Sequence, residues 1–166
     1  MRYTKNKMKI EGNIMKIVAE NKKAFFDYEI LDRIEAGIVL TGDEVKSFRA
    51  KHVSLQGSFA QFYQGELMII NMRVAPYSHA YTKTDEHASR SRKLLLHKRE
   101  LMRLLGDLSK KGITLLPLKI YFNERNIAKV EIGLAKHKKS VDKRSDLKER
   151  DIKRETAREF KNKFRS

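Results

Sequence analysis

Hydrophobic and polar positions follow two rhythms along this chain, and one long stretch follows neither. At 128–135 the run AKVEIGLA alternates polar and apolar residues, the period of two expected of a strand with one buried face. Directly after it, 136–166 holds 13 Lys/Arg against 6 Asp/Glu, a net +7, with no Gly or Pro and few residues able to join a core. Such a segment has almost nothing to bury and is not expected to fold by burial. The pattern predicts a packed platform followed by a charged arm that the platform positions.

Upstream, residues 1–15 form a polar, basic, flexible leader, in which Met1 or Met15 can serve as the start. Residues 24–34, with Phe25, Phe26, Tyr28, Ile30 and Ile34, favour a strand. Glu35-Ala36-Gly37 predicts a break, and Ile38-Val39-Leu40 a second short strand. Thr41 and Glu44 have the spacing of a capping box, which predicts a short helix with Val45 and Phe48 on one face. Two alternating runs at 58–63 and 66–72 flank Gln64-Gly65 and predict a hairpin, continued extended to Tyr77. The polar stretch 78–91 reads as a surface loop. Within 92–111, Leu101, Leu104, Leu105 and Leu108 recur at helical spacing, with Gly112 placed as a C-terminal glycine cap. Residues 113–122 predict a strand interrupted at Pro117, at an edge or a bulge, and 123–126 a turn into the last strand.

Roughly six short strands with two helices predict a mainly β protein, a closed or partly open antiparallel barrel of OB-like type. Periodicity alone also allows an open α+β sheet. The expected organisation is a leader at 1–15, a barrel at 16–135 and a basic tail at 136–166.

Charge narrows the partner. The 166 residues carry 37 Lys+Arg against 21 Asp+Glu, a formal +16 with a pI near 10.0. That excess predicts a polyanion, nucleic acid first and an anionic membrane surface second. No apolar run approaches the ~20 residues of a membrane span. The N-terminus has no apolar signal-like region, so a cytoplasmic protein is expected. Without cysteine there is no disulfide, no thiolate chemistry and no Cys-ligated zinc. The five histidines make no HxxxH or HExxH pair, and no GxSxG, P-loop or GxGxxG occurs. Asp43-Glu44 and Asp85-Glu86 fit a helix start and a solvated loop better than acid–base chemistry. The reading is a binding protein, not an enzyme, with no metal and no cofactor. Phosphate-directed charge clusters at Asn21-Lys22-Lys23, at Lys46 with Arg49 and Lys51, and at Arg90 to Lys93 including Arg92. The leucines after Lys93 read as core, with an exposed Leu96 able to pack on an unstacked base.

The runs NKKA (21–24), EAGIVLTG (35–42), EVKS (44–47), GEL (65–67), RKLLLH (92–97) and KGIT (111–114) resemble the SmpB family. So do PLKIYF (117–122), AKVEIGLAK (128–136), DKR (142–144) and KERD (148–151). The resemblance runs from about Lys16 to the end. It implies an OB-like barrel that binds the tRNA-like domain of transfer-messenger RNA and enters stalled ribosomes for trans-translation. The tail would then occupy the decoding centre and the vacant mRNA path. Family RNA-binding positions map onto Asn21, Glu35, Leu96, His97 and Lys129, and the decoding-site motif onto Asp142, Lys143 and Arg144. His137 stands where the family pattern usually has Gly, and Phe26 where a His is frequent.

In the tail, i, i+4 spacing sorts Arg150, Arg154 and Arg158 into one row, and Ile152, Thr156, Phe160 and Phe164 into another. With Lys148, these form the expected ribosome-contacting arm, marginal as an isolated helix and helical when bound. The expected partners are that RNA and the ribosome, with no membrane, for a monomeric chain. The alternative is a structural ribosomal protein, also basic, compact and long-tailed.

Overall fold

The computed structural model describes residues 9–10, 13–14, 16–77 and 88–139. Most of the leader, residues 78–87 of the polar loop and the arm from 140, with its rows and its DKR motif, lie outside the described residues. In chain order the elements are β1 (Lys9–Ile10), β2 (Asn13–Ile14), β3 (Lys16–Glu20), α1 (Lys22–Asp27), β4 (Tyr28–Ile38) and α2 (Gly42–Arg49). There follow β5 (Val53–Ser54), β6 (Phe59–Tyr63), β7 (Glu66–Ile70), β8 (Arg73–Val74) and β9 (Arg92–Leu95). The last three are α3 (Lys98–Leu108), β10 (Ile113–Phe122) and β11 (Ala128–His137).

The sheet runs β11-β4-β9-β7-β6-β10-β3, and β11 also pairs β10. That last pairing closes six antiparallel strands into an OB-like barrel, leaving β3 as an extra strand on the far half of β10. Closure removes the exposed edges that an open sheet would carry. The main core fills it, with Phe48, Leu67, Ile69, Met72, Leu115, Ile120 and Val130 fully buried. The expected hairpin is present in register, Phe59 opposite Ile70 and Tyr63 opposite Glu66. Its turn places Gln64 and Gly65 at φ 48° and 79°, the paired positive φ of a two-residue turn matched to strand twist.

Pro117 sits at a bulge, not an edge: the β10–β11 register shifts between Pro117 and Lys119. The shift swaps which side chains face inward, so Leu115 and Ile120 enter the main core while Leu116 and Leu118 face out. Those two, with Ala135, make a second small core under α1, whose Ala24 and Phe25 cover them.

The strand expected over 24–34 is present from Tyr28 onward as β4, but residues 24–27 belong to α1. Asn21 starts a helix instead: its side-chain oxygen accepts the Ala24 N–H, and its amide nitrogen donates to the carbonyls of Leu55 and Pro117. The break expected at Gly37 is absent. β4 continues through it, because a Cβ there would lie only 3.3 Å from Leu95 Cβ, and glycine lets β4 and β9 approach. In α3, Leu104 is buried and Leu101 and Leu108 pack partly on the core, but Leu105 is exposed. The helix ends at Ser109, and Gly112, at φ 82°, serves the following turn. β11 runs to His137, two residues past its expected end.

Gly133 makes a further prediction. A Cβ there would meet three Leu118 side-chain atoms at 2.8, 3.0 and 3.1 Å, and Leu118 is fully buried. Gly133→Ala should cost about 1–3 kcal/mol through overpacking, read as a lower urea midpoint at unchanged m. A wild-type midpoint would show that the second core can give way.

Candidate nucleic-acid interface

The outer face of β4, β10 and β11 carries a continuous ladder of charged and aromatic side chains. Antiparallel register puts directly opposed residues on the same face. Tyr121, Lys129, Gly37 and Leu95 therefore form one row across β10, β11, β4 and β9. The next row sets Glu131 opposite both Lys119 and Glu35.

Glu35 sits at the centre. Lys129 Nζ lies 2.9 Å from Glu35 Oε1, and the Tyr121 hydroxyl donates to Oε2. Burial alone would push the Glu35 carboxyl up, but the hydrogen bonds from Tyr121 and Lys129 and the lysine's charge outweigh it. The group is held below its ordinary value of 4.5 and stays ionised at neutral pH. Burial, then the neighbouring carboxylate, pushes the Tyr121 hydroxyl up, so it remains a donor. An anion fixed from both sides on a basic surface adds no bulk attraction for phosphate. Its ion pair fixes the Lys129 ammonium on this face.

The ladder continues toward α1. Arg33 Nη1 bonds Glu131 Oε1 at 3.3 Å, and the same guanidinium lies 5.6 Å from the Phe25 ring centroid. Lys22 and Lys23 are exposed on that helix. The structure thus brings Glu35 and Lys129 into contact and links them through Arg33 to the lysines of α1.

Other expected residues fall elsewhere. Asn21 is buried, and both its amide protons are spent on Leu55 and Pro117, so it shapes α1 and offers no free donor. Arg92 is fully buried and supplies no surface charge. Its guanidinium bonds Glu44 and the carbonyls of Met72, Arg90 and Ala88. Lys93 is half-exposed and paired to Glu66, and Arg49 is exposed on α2, apart from the ladder. His97 is exposed as the residue before α3, its N–H donating to Glu100.

Leu96 is partly buried and packs on the main core; the exposed leucine is Leu95, 51% accessible and directly across from Gly37. With Val39 and Ile127, also about half exposed, Leu95 gives the end of the ladder near Lys129 an apolar rim. Sequence reasoning missed Leu95, Tyr121 and Arg33. The alternation Arg33, Glu35, Gly37 and Lys129, Glu131, Gly133 holds the signal that would have grouped the outward positions.

Among the described residues no group of three or more His, Cys, Asp or Glu is arranged to hold a metal, and no helix is long and apolar enough to cross a membrane.

The family model described as SmpB protein matches residues 18–162. An SsrA-binding protein of Coprothermobacter proteolyticus is 50% identical, covering 89% of this chain and 98% of that one. One from Thermus thermophilus is 54% identical over 82% of this chain and 94% of its own. A solved structure described as "tmRNA-SmpB: a journey to the center of the bacterial ribosome" superimposes with a TM-score of 0.62. It is 56% identical and covers 75% of this chain and 85% of that one. A family match across nearly the whole chain, relatives at about half identity and a shared fold agree: this chain belongs to the SmpB family.

Proposed function

We propose that this chain binds the tRNA-like domain of transfer-messenger RNA through the Glu35–Lys129 ladder and delivers it to stalled ribosomes for trans-translation. The observation that carries the reading is the match to SsrA-binding proteins and to a solved structure whose description names tmRNA-SmpB and the bacterial ribosome, together with a basic ladder around a fixed carboxylate. Lys129, Lys22 and Lys23 contact phosphates, Glu35 orients or accepts from a base, and His97 and the leucine rim flank them. Residues 136–166 act in the decoding centre and mRNA path. There Asp142, Lys143 and Arg144 meet the decoding site, and Lys148, Arg150, Arg154, Arg158 and Phe160 form a helical row against ribosomal RNA. The protein acts as a cytoplasmic monomer and as an adaptor, without chemistry of its own.

The ladder gives opposite signatures for its two charges. Lys129→Ala should weaken binding to a transcript of the tRNA-like domain and lower the slope of log K against log salt by about 1. Glu35→Ala should weaken it by about 1.5–3 kcal/mol, roughly ten- to a hundredfold in Kd, with the slope unchanged. Filter binding over a salt series separates the two. Wild-type affinity for Glu35→Ala would remove this surface from the interface.

A further inference from the structure

Glu35 and Glu131 stand directly opposite each other on β4 and β11. Opposed like charges are unfavourable on a sheet unless each carboxylate has its own cation. Lys129 takes Glu35, and Arg33 takes Glu131 from the diagonal position, Nη1 to Oε1 at 3.3 Å. In that second pair the Arg33 side chain is 51% accessible and the Glu131 side chain 18%, so the guanidinium is the outer member. Its face is also held, 5.6 Å from the Phe25 ring centroid on α1. Of its side-chain nitrogens only Nη1 has a hydrogen-bond partner among the described residues. Gly133, directly across on β11, carries no side chain that would cover it. Arg33 is thus oriented by two neighbours while most of its donors stay available.

We propose that Arg33 is a further RNA-binding residue, its guanidinium taking a phosphodiester group between those reached by Lys129 and by the lysines of α1. The proposal rests on the reading of the ladder as the RNA interface. A guanidinium presents its donors as a planar fork that matches two phosphate oxygens, and one already fixed in orientation loses little side-chain freedom on binding. The position fits. Arg33 lies two residues before Glu35 on the same face of β4, and it touches the ring two residues after Lys23. Glu131 anchors the guanidinium from the less accessible side, so an approaching phosphate meets the cation before the carboxylate.

Filter binding of the full-length protein to a transcript of the tRNA-like domain, over a salt series, tests the contact. Arg33→Ala should weaken binding about two- to tenfold and lower the slope of log K against log salt by about 1. The urea midpoint should stay close to wild type, because the pair with Glu131 lies at the surface. Arg33→Lys, which keeps the charge, should keep the slope. Removing Arg33 also leaves Glu131 unpaired, and its repulsion of phosphate weakens binding without any contact. The comparison is therefore repeated in a Glu131→Gln background, where the same loss of affinity and slope should appear. Wild-type binding by Arg33→Ala, a loss that vanishes in the Glu131→Gln background, a slope lowered equally by Arg33→Lys, or a midpoint that falls in step with affinity each overturns the contact. If Lys129→Ala lowers the slope and Arg33→Ala does not, the Arg33 contact alone has failed. If neither does, the reading of the ladder has failed and the contact with it.

Discussion

Replacing Glu44 by Ala should destabilise the folded chain by about 3–5 kcal/mol, because it leaves the Arg92 guanidinium charged and buried without its anion. Arg92 is fully buried, and Arg92 Nη2 lies 2.7 Å from Glu44 Oε1. Arg90 bonds the same carboxylate, which also closes the capping box by accepting the Thr41 N–H. One side chain thus ties α2, Met72 and residues 88–92 together. Equilibrium urea unfolding should show the loss as a lower midpoint. The double variant Glu44→Leu with Arg92→Met should recover most of it, since removing both charges spares the orphaned one. Burial alone would push the Glu44 carboxyl up, but hydrogen bonds from Arg90 and Thr41 and the charge of Arg92 hold it below 4.5. Its contribution is therefore complete above the ordinary carboxylate range and lost as pH falls through the lower folded value. The gap between wild type and Glu44→Gln should be widest at neutral pH and narrow in acid. A loss under 1 kcal/mol for Glu44→Ala, or a gap that widens in acid, would contradict this account of the network.

Deleting residues 142–166 should leave affinity for the tRNA-like domain near wild type and reduce peptide tagging on stalled ribosomes to background. The ladder proposed to meet the RNA lies wholly within residues 22–131. The deleted arm carries the DKR motif and the arginines at i, i+4 spacing. Helicity of a tail peptide, low alone and rising with ribosomal RNA by circular dichroism, would report the ordering step. Tagging at wild-type level by the truncated protein would refute the role assigned to the arm, whatever the spectrum shows.

What could be read from the sequence was local. The capping box of Thr41 and Glu44, the Gln64-Gly65 hairpin, the Pro117 bulge and the alternation of β11 all depend on neighbours within a few residues. The errors fall where the deciding partner is remote. Aromatic content at Phe25 and Phe26 favours a strand, but Asn21 caps α1 at the Ala24 N–H while its amide nitrogen is held by the remote carbonyls of Leu55 and Pro117. Arg92 looked like surface charge because Glu44, which buries it, lies 48 residues away. Three consecutive leucines carry no period of two, and only the β4–β9 register shows that Leu95 is more exposed than Leu96. Glu35 and Lys129 were legible only through resemblance, since a glutamate in a strand does not announce that Tyr121 and Lys129 will hold it.

An adaptor for one RNA and a fixed part of the ribosome differ in the RNA they retain and in their copy number. Affinity capture of the full-length protein from cells, with sequencing of bound RNA and counting of copies on washed ribosomes, separates the two. One small RNA with a tRNA-like end should be enriched far above all others, with far fewer protein copies than ribosomes. One copy per washed ribosome, with ribosomal RNA as the only enriched species, would contradict the adaptor role.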